Sequence, residues 1–129
     1  MANVGREALG KATFKRATVN VPEWGGDALI RELSAAEVAR VQQIANTAVD
    51  MTTRTVRDVA ALARFQAEVV VAGWIDDAGA NVLTASDVDS VLAQPSKIVA
   101  LLSKEISKLS GMEAAETAEA TPVEEAKNG

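Results

Sequence analysis

Asp76-Asp77-Ala78-Gly79-Ala80-Asn81 gathers oxygen-bearing side chains around a glycine, the composition of a calcium loop. An EF-hand loop needs its glycine at position six, oxygen ligands at one, three and five, and a bidentate glutamate at twelve. With Gly79 at six, those positions fall on Trp74, Asp76, Ala78 and Ala85. Only Asp76 fits, so the run reads as a tight turn rather than a metal site. Asp76 and Asp77 also lack a nearby nucleophile for acid–base work, and adjacent side chains point apart. Asp87 and Asp89 precede an apolar helical run, where carboxylates complement the helix dipole. Arg54, Arg57 and Arg64 are the basic residues best spaced to meet phosphates. Asp50, Asp58 and Glu68 lie among them, so the expectation is a solvated face. Gly25-Gly26 is not a phosphate loop, because neither GxGxxG nor GxxxxGK[ST] occurs in the chain.

Composition narrows the chemistry further. Histidine, cysteine and tyrosine are absent. The chain thus lacks the usual general base, the commonest metal ligand and any disulfide. No catalytic residue, cofactor site or metal site is expected. The net charge is -5, and Glu113, Glu116, Glu119, Glu124 and Glu125 against Lys127 leave about -1 on the rest. A nearly neutral body with an acidic end is a poor match for nucleic acid. No apolar run reaches membrane-spanning length and no signal-peptide pattern opens the chain, so a soluble cytoplasmic protein is expected. The two tryptophans, Trp24 and Trp74, stand out among only 3% aromatic residues. Either both bury against helices, or one anchors a partner, since tryptophan is enriched at binding hot spots.

The elements around these residues follow from pattern. Residues 1–12 read as a flexible arm or a short helix near Gly5–Leu9. Alternation from Thr13 to Val21 predicts a strand, ended by Pro22, which cannot donate to a ladder. Gly25-Gly26 marks a hairpin turn carrying Trp24, and Asp27–Arg31 forms the returning strand. Ser34-Ala35-Ala36-Glu37 is a capping box, with Leu33 and Val38 placed as a hydrophobic staple. Val38, Val41, Ile44, Ala45 and Ala48 then fall on one helical face, up to a break at Thr52-Thr53. A second helix is expected from Thr55 to Ala72, buried along Val56, Val59, Leu62, Ala63 and Val69 or Val70. Val69-Val70-Val71 also suits a strand. Trp74 to Leu83 reads as a turn, and Thr84-Ala85-Ser86-Asp87 as a second capping box before Val88, Val91 and Leu92. Gln94-Pro95 stops that helix. Ser96 begins another along Ile98, Leu101, Leu102, Ile106 and Leu109, with Gly111 as its cap. From Glu113 the apolar period ends, so residues 113–129 are expected to be a disordered acidic tail. The fold class is mainly α (α+β): an N-terminal β-hairpin, then about four helices across residues 13–112.

The order of these pieces resembles a known family. Val21-Pro22-Glu23-Trp24-Gly25-Gly26 leads to Arg31-Glu32-Leu33-Ser34-Ala35-Ala36-Glu37. Trp74-Ile75-Asp76-Asp77-Ala78-Gly79 and Leu83-Thr84-Ala85-Ser86-Asp87-Val88 follow, then Val91-Leu92-Ala93-Gln94-Pro95-Ser96 and the last helix. This is similar to the tail assembly chaperones of bacteriophages with long, flexible, non-contractile tails (siphophages), over roughly Val19 to Leu109. The resemblance implies a non-enzymatic protein that binds and solubilises the helical tape measure protein during tail morphogenesis in the host cell cytoplasm. It implies absence from the mature virion. It also implies a longer product of ribosomal frameshifting whose extra domain recruits the tail tube protein. Lys127-Asn128 is compatible with an A-rich slippery sequence at such a junction. Self-association is a further expectation; nucleic acid and membrane are not expected as partners. Candidate groove residues for an apolar helix are Trp24, Leu33, Val41, Leu62, Phe65, Trp74, Leu101 and Leu102. The competing reading is a structural head–tail or minor tail protein retained in the particle.

Overall fold

A computed structural model describes residues 3–11, 13–50 and 52–112. The expected acidic tail, residues 113–129, lies outside them, as do Met1, Ala2 and Ala12 of the expected arm. A 3₁₀ turn spans Arg6–Lys11. The hairpin follows: β1 (Arg16–Val21) pairs antiparallel with β2 (Gly26–Arg31), from Arg16 opposite Arg31 to Val21 opposite Gly26. The strand begins three residues later than the alternation predicted. At that point a side chain takes one of the two pairing bonds: the Lys15 amide donates to Glu32 Oε1 (2.8 Å), while the Glu32 amide donates to the Lys15 carbonyl (2.9 Å). Val19, Val21, Ala28 and Ile30 turn one face of the hairpin into the core.

Helix α1 (Ala35–Ala48) begins at the predicted capping box. Ser34 Oγ accepts from the Glu37 amide at 3.3 Å, and Glu37 Oε1 accepts from the Ser34 amide at 2.8 Å. Val41, Ala45 and Ala48 are fully buried, while Val38 and Ile44 are only half-buried. A short ribbon, β3 (Val49–Asp50) with β4 (Thr55–Val56), turns the chain back. The second helix therefore starts four residues late, as α2 (Val59–Gly73), capped by the Asp58 carboxylate on the Ala61 amide at 3.1 Å. The β-branched Thr55 and Val56 favoured the ribbon over a helical start. Val69–Val71 is helical, not strand.

Helix α2 is the centre of the molecule. From Phe65 to Gly73 every residue is buried, packed by α1, α3 (Val88–Leu92) and α4 (Ser96–Leu109). A helix apolar nearly all round belongs inside such a bundle. Two expectations of a one-sided stripe are corrected. Val59 is 75% exposed at the outer first turn, and Glu68, expected at the surface, is buried. Close approach of α2 to α4 depends on Gly73: a Cβ there would lie 2.7 Å from two carbons of the fully buried Ile106.

Trp74-Ile75, expected to lie in a turn, forms β5, which pairs antiparallel with β2 and completes a β1-β2-β5 sheet. The turn starts just after it. Asp76 Oδ1 accepts from the Ala78 and Ala80 amides at 2.9 and 3.0 Å, and Gly79 adopts φ +88°, which favours glycine. Asn81 Nδ2 donates to the Val71 and Ala72 carbonyls (3.2 and 3.3 Å), closing the end of α2. Asp87 Oδ2 accepts from the Thr84 amide at 2.8 Å, ahead of α3. Val88 and Val91 face inward, but Leu92, expected on the same face, points out at 41% exposure. Helix α4 ends in a Schellman turn: Met112 N–H donates to the Ser107 carbonyl at 2.8 Å, with Gly111 at φ +74°. Ser110 Oγ accepts from the Leu33 amide at 2.9 Å, which fixes the entry to α1 against that end.

Glu37 is also gripped by Arg31 through two bonds of 2.9 Å. Burial of the carboxyl disfavours its charge. The hydrogen bond from Arg31, the Ser34 amide, the Arg31 charge and the Ser34 hydroxyl together outweigh that and hold its pKa below the usual carboxylate value. The interaction thus stabilises the fold at pH above the unfolded carboxylate's range and is lost as pH falls through the lowered folded value. Glu37→Gln is expected to lower the urea midpoint at neutral pH and to match the wild type in strong acid. A gap between the two that persists in acid would contradict this.

Candidate partner-binding surface

The loop between β1 and β2 places Trp24. Pro22 opens a single 3₁₀ turn, Pro22–Trp24, and Gly25 closes it at φ +80°, its amide donating to the Pro22 carbonyl at 2.9 Å. Strand β5 holds Trp74 beside β2, with Ile30 opposite. The two indoles therefore meet: ring centroids lie 5.0 Å apart and the planes differ by 22°. Such stacked aromatic pairs contribute about 0.5–1.5 kcal/mol beyond their buried area. Trp24 Nε1 donates to Gln94 Oε1 at 3.2 Å, and Glu23 lies 3.9 Å from Lys97. The hairpin tip is thus tied to the α3–α4 corner.

Beside the pair lies an apolar hollow of about 230 Å³, lined by Trp24, Trp74, Leu83, Ser90, Val91 and Gln94. Both tryptophans are half-buried. Each indole shows part of its ring to solvent while its partner fixes its orientation. Such a surface loses little rotamer entropy when it is covered. Among the described residues no group of acidic side chains is placed to hold a metal, and no helix is long and apolar enough to cross a membrane.

The eight candidate groove residues separate by position. Leu33, Val41, Leu62, Phe65 and Leu102 are buried in the core, where they pack the bundle. Trp24 and Trp74 come together at the hollow. Leu101 lies at the surface of α4, 39% exposed and one turn beyond Lys97. Leu83, Ser90, Val91 and Gln94 complete the hollow but were not among the sequence candidates. Their only sequence signal is position, just before, within and just after the α3 segment that follows Trp74.

Among the described residues the fold is a three-stranded sheet packed on four helices, with the tryptophan pair at its surface. The chain belongs to the phage tail assembly chaperone family, whose sequence model matches residues 8–128. The fold agrees: the structure of the bacteriophage HK97 tail assembly chaperone superposes with a TM-score of 0.58, covering 80% of this chain and 94% of that one at 22% identity. No curated protein matches the sequence. A chaperone family indicates a non-enzymatic role in tail assembly, one of binding tail proteins.

Proposed function

We propose that this chaperone binds the tape measure protein of its phage in several copies and keeps its apolar helical faces soluble until the tail tube forms around it. The observation that carries this reading, beyond family membership, is the stacked, half-exposed Trp24–Trp74 pair at an apolar hollow. An apolar ridge of a helix is suited to such a hollow. Leu101 extends the apolar surface on α4. A longer form made by frameshifting recruits tube subunits. The protein acts in the host cytoplasm and leaves before the particle is complete.

These are the chain's only two tryptophans, and tyrosine is absent, so intrinsic fluorescence reports on this site alone. Titration with a tryptophan-free segment of the tape measure protein is expected to shift the emission to shorter wavelength as the indoles are covered. A segment that binds without changing the emission would contradict this placement of the site.

A further inference from the structure

The four carboxylates between Ala35 and Gly73 are all engaged. Glu37 is held by Arg31 and the Ser34 amide. Asp50 Oδ1 accepts from the Thr52 and Thr53 amides, and Asp58 from the Ala61 amide. Glu68 is buried between α1 and α2, with Arg40 Nη1 3.5 Å from Oε1 and Arg64 Nη2 3.5 Å from Oε2. The arginines of the same segment reach the surface, although Arg57 Nη2 also donates to the Val49 carbonyl at 3.2 Å. Arg54 and Arg57 are exposed, and the side chains of Arg40 and Arg64 are 50% and 60% exposed. The segment balances four arginines against four carboxylates and Asp58 is exposed, so its positive excess is local: Arg40 and Arg64 share the single buried Glu68.

Glu68 makes this surface more than a scatter of basic residues. Its Oε1 is buried without a hydrogen bond and is met only by the Arg40 guanidinium at 3.5 Å, an arrangement that costs stability. One buried carboxylate holds two guanidiniums from neighbouring helices, and the trio keeps one positive charge. Each guanidinium has five N–H groups, and most remain free to face outward. Around them the surface is low. Ala36 and Ala39 flank Arg40 on α1, and Ala60 lies one turn before Arg64 on α2; all three are exposed. A third helix can approach such short side chains closely.

We propose that the α1–α2 face around Arg40 and Arg64 docks an acidic helical segment, with a carboxylate of that segment bridging the two guanidiniums that Glu68 positions. This rests on the tape measure reading above and assigns that partner an acidic helix at this contact. Charge complementarity selects the carboxylate, and the net negative chain disfavours nucleic acid as the occupant. The arginine face orients the partner, while apolar burial at the tryptophan hollow holds it.

The test is co-expression with the tape measure protein, followed by affinity measurement on the purified proteins. Wild type is compared with Arg40→Glu/Arg64→Glu and with Arg40→Lys/Arg64→Lys, each checked for an unchanged thermal melt. The expected result is a loss of roughly tenfold or more for the glutamate pair and a smaller loss for the lysine pair. Should the glutamate pair unfold, the lysine pair carries the test, and its weaker binding is the expected result. Equal affinity of a folded variant and wild type would overturn the docking face while leaving the tape measure reading intact. Failure of wild type to bind would overturn both. Retardation of duplex DNA by wild type but not by the glutamate pair would also overturn the acidic-helix assignment.

Discussion

Phe65→Ala is expected to destabilise the fold by about 3–5 kcal/mol, the cost of removing a buried aromatic ring and leaving a cavity. Phe65 is fully buried on α2, the helix that α1, α3 and α4 all contact. The core has little freedom to collapse into the space, since Val69, Val70, Val41 and Leu102 of the same cluster are themselves fully buried. Marginal domains have only about 5–15 kcal/mol to lose, so the variant should melt early and cooperatively. Urea unfolding followed by circular dichroism measures the change. A loss under about 1 kcal/mol would mean that α2 is not the centre of the core.

Trp24→Ala is expected to weaken partner binding by about 2 kcal/mol or more, the range of a hot-spot tryptophan, which corresponds to about thirtyfold. It should also lower stability, but by less than the full cost of a buried aromatic ring, because Trp24 is only half-buried. The loss in stability comes from the stack on Trp74 and the bond to Gln94. Trp24→Phe separates the two effects. It keeps a ring on Trp74 and removes the donor to Gln94, so most stability should return while binding recovers in part. Urea melts and titration of the tape measure segment give the two numbers. Unchanged binding by a folded Trp24→Ala variant would remove Trp24 from the contact surface.

Much of this fold was readable because local signals and tertiary packing agree. The Ser34–Glu37 box, the Gly25 turn and the Gly111 end each satisfy backbone groups with residues close in sequence. Periodicity located α1 and α4 for the same reason: each has a wet side. Helix α2 obscured its own pattern. From Phe65 on it is buried all round and leaves no stripe to read, and Glu68 looked like a surface residue because its partner Arg40 is distant in sequence. Strand β5 was hidden for a related reason. Two residues carry no period, and Trp74-Ile75 becomes a strand only because β2 offers an edge.

The site was legible as residue types and not as a place. Tryptophan scarcity singled out Trp24 and Trp74, yet nothing within either segment reports that they stack across some fifty intervening residues. Apolar helix positions gave Leu33, Val41, Leu62, Phe65 and Leu102 the same signature as surface anchors. Only packing distinguishes a side chain that fills the bundle from one that faces a partner. Leu101 and Leu102 show the point most sharply: adjacent leucines on one helix, the first exposed and the second fully buried.

The central claim is that this chaperone holds the tape measure protein chiefly through apolar burial. Co-expression of the two proteins, followed by pull-down from the soluble fraction at about 0.1 M and about 1 M salt, tests it directly. Across that range the screening length falls from about 10 Å to about 3 Å, so exposed charge pairs are suppressed while apolar contacts persist. The account predicts a soluble tape measure protein that co-purifies at both salt concentrations, with some weakening at the higher one as the arginine face is screened. A tape measure protein that stays insoluble and forms no complex at either salt, with the longer frameshift product also supplied, would contradict it.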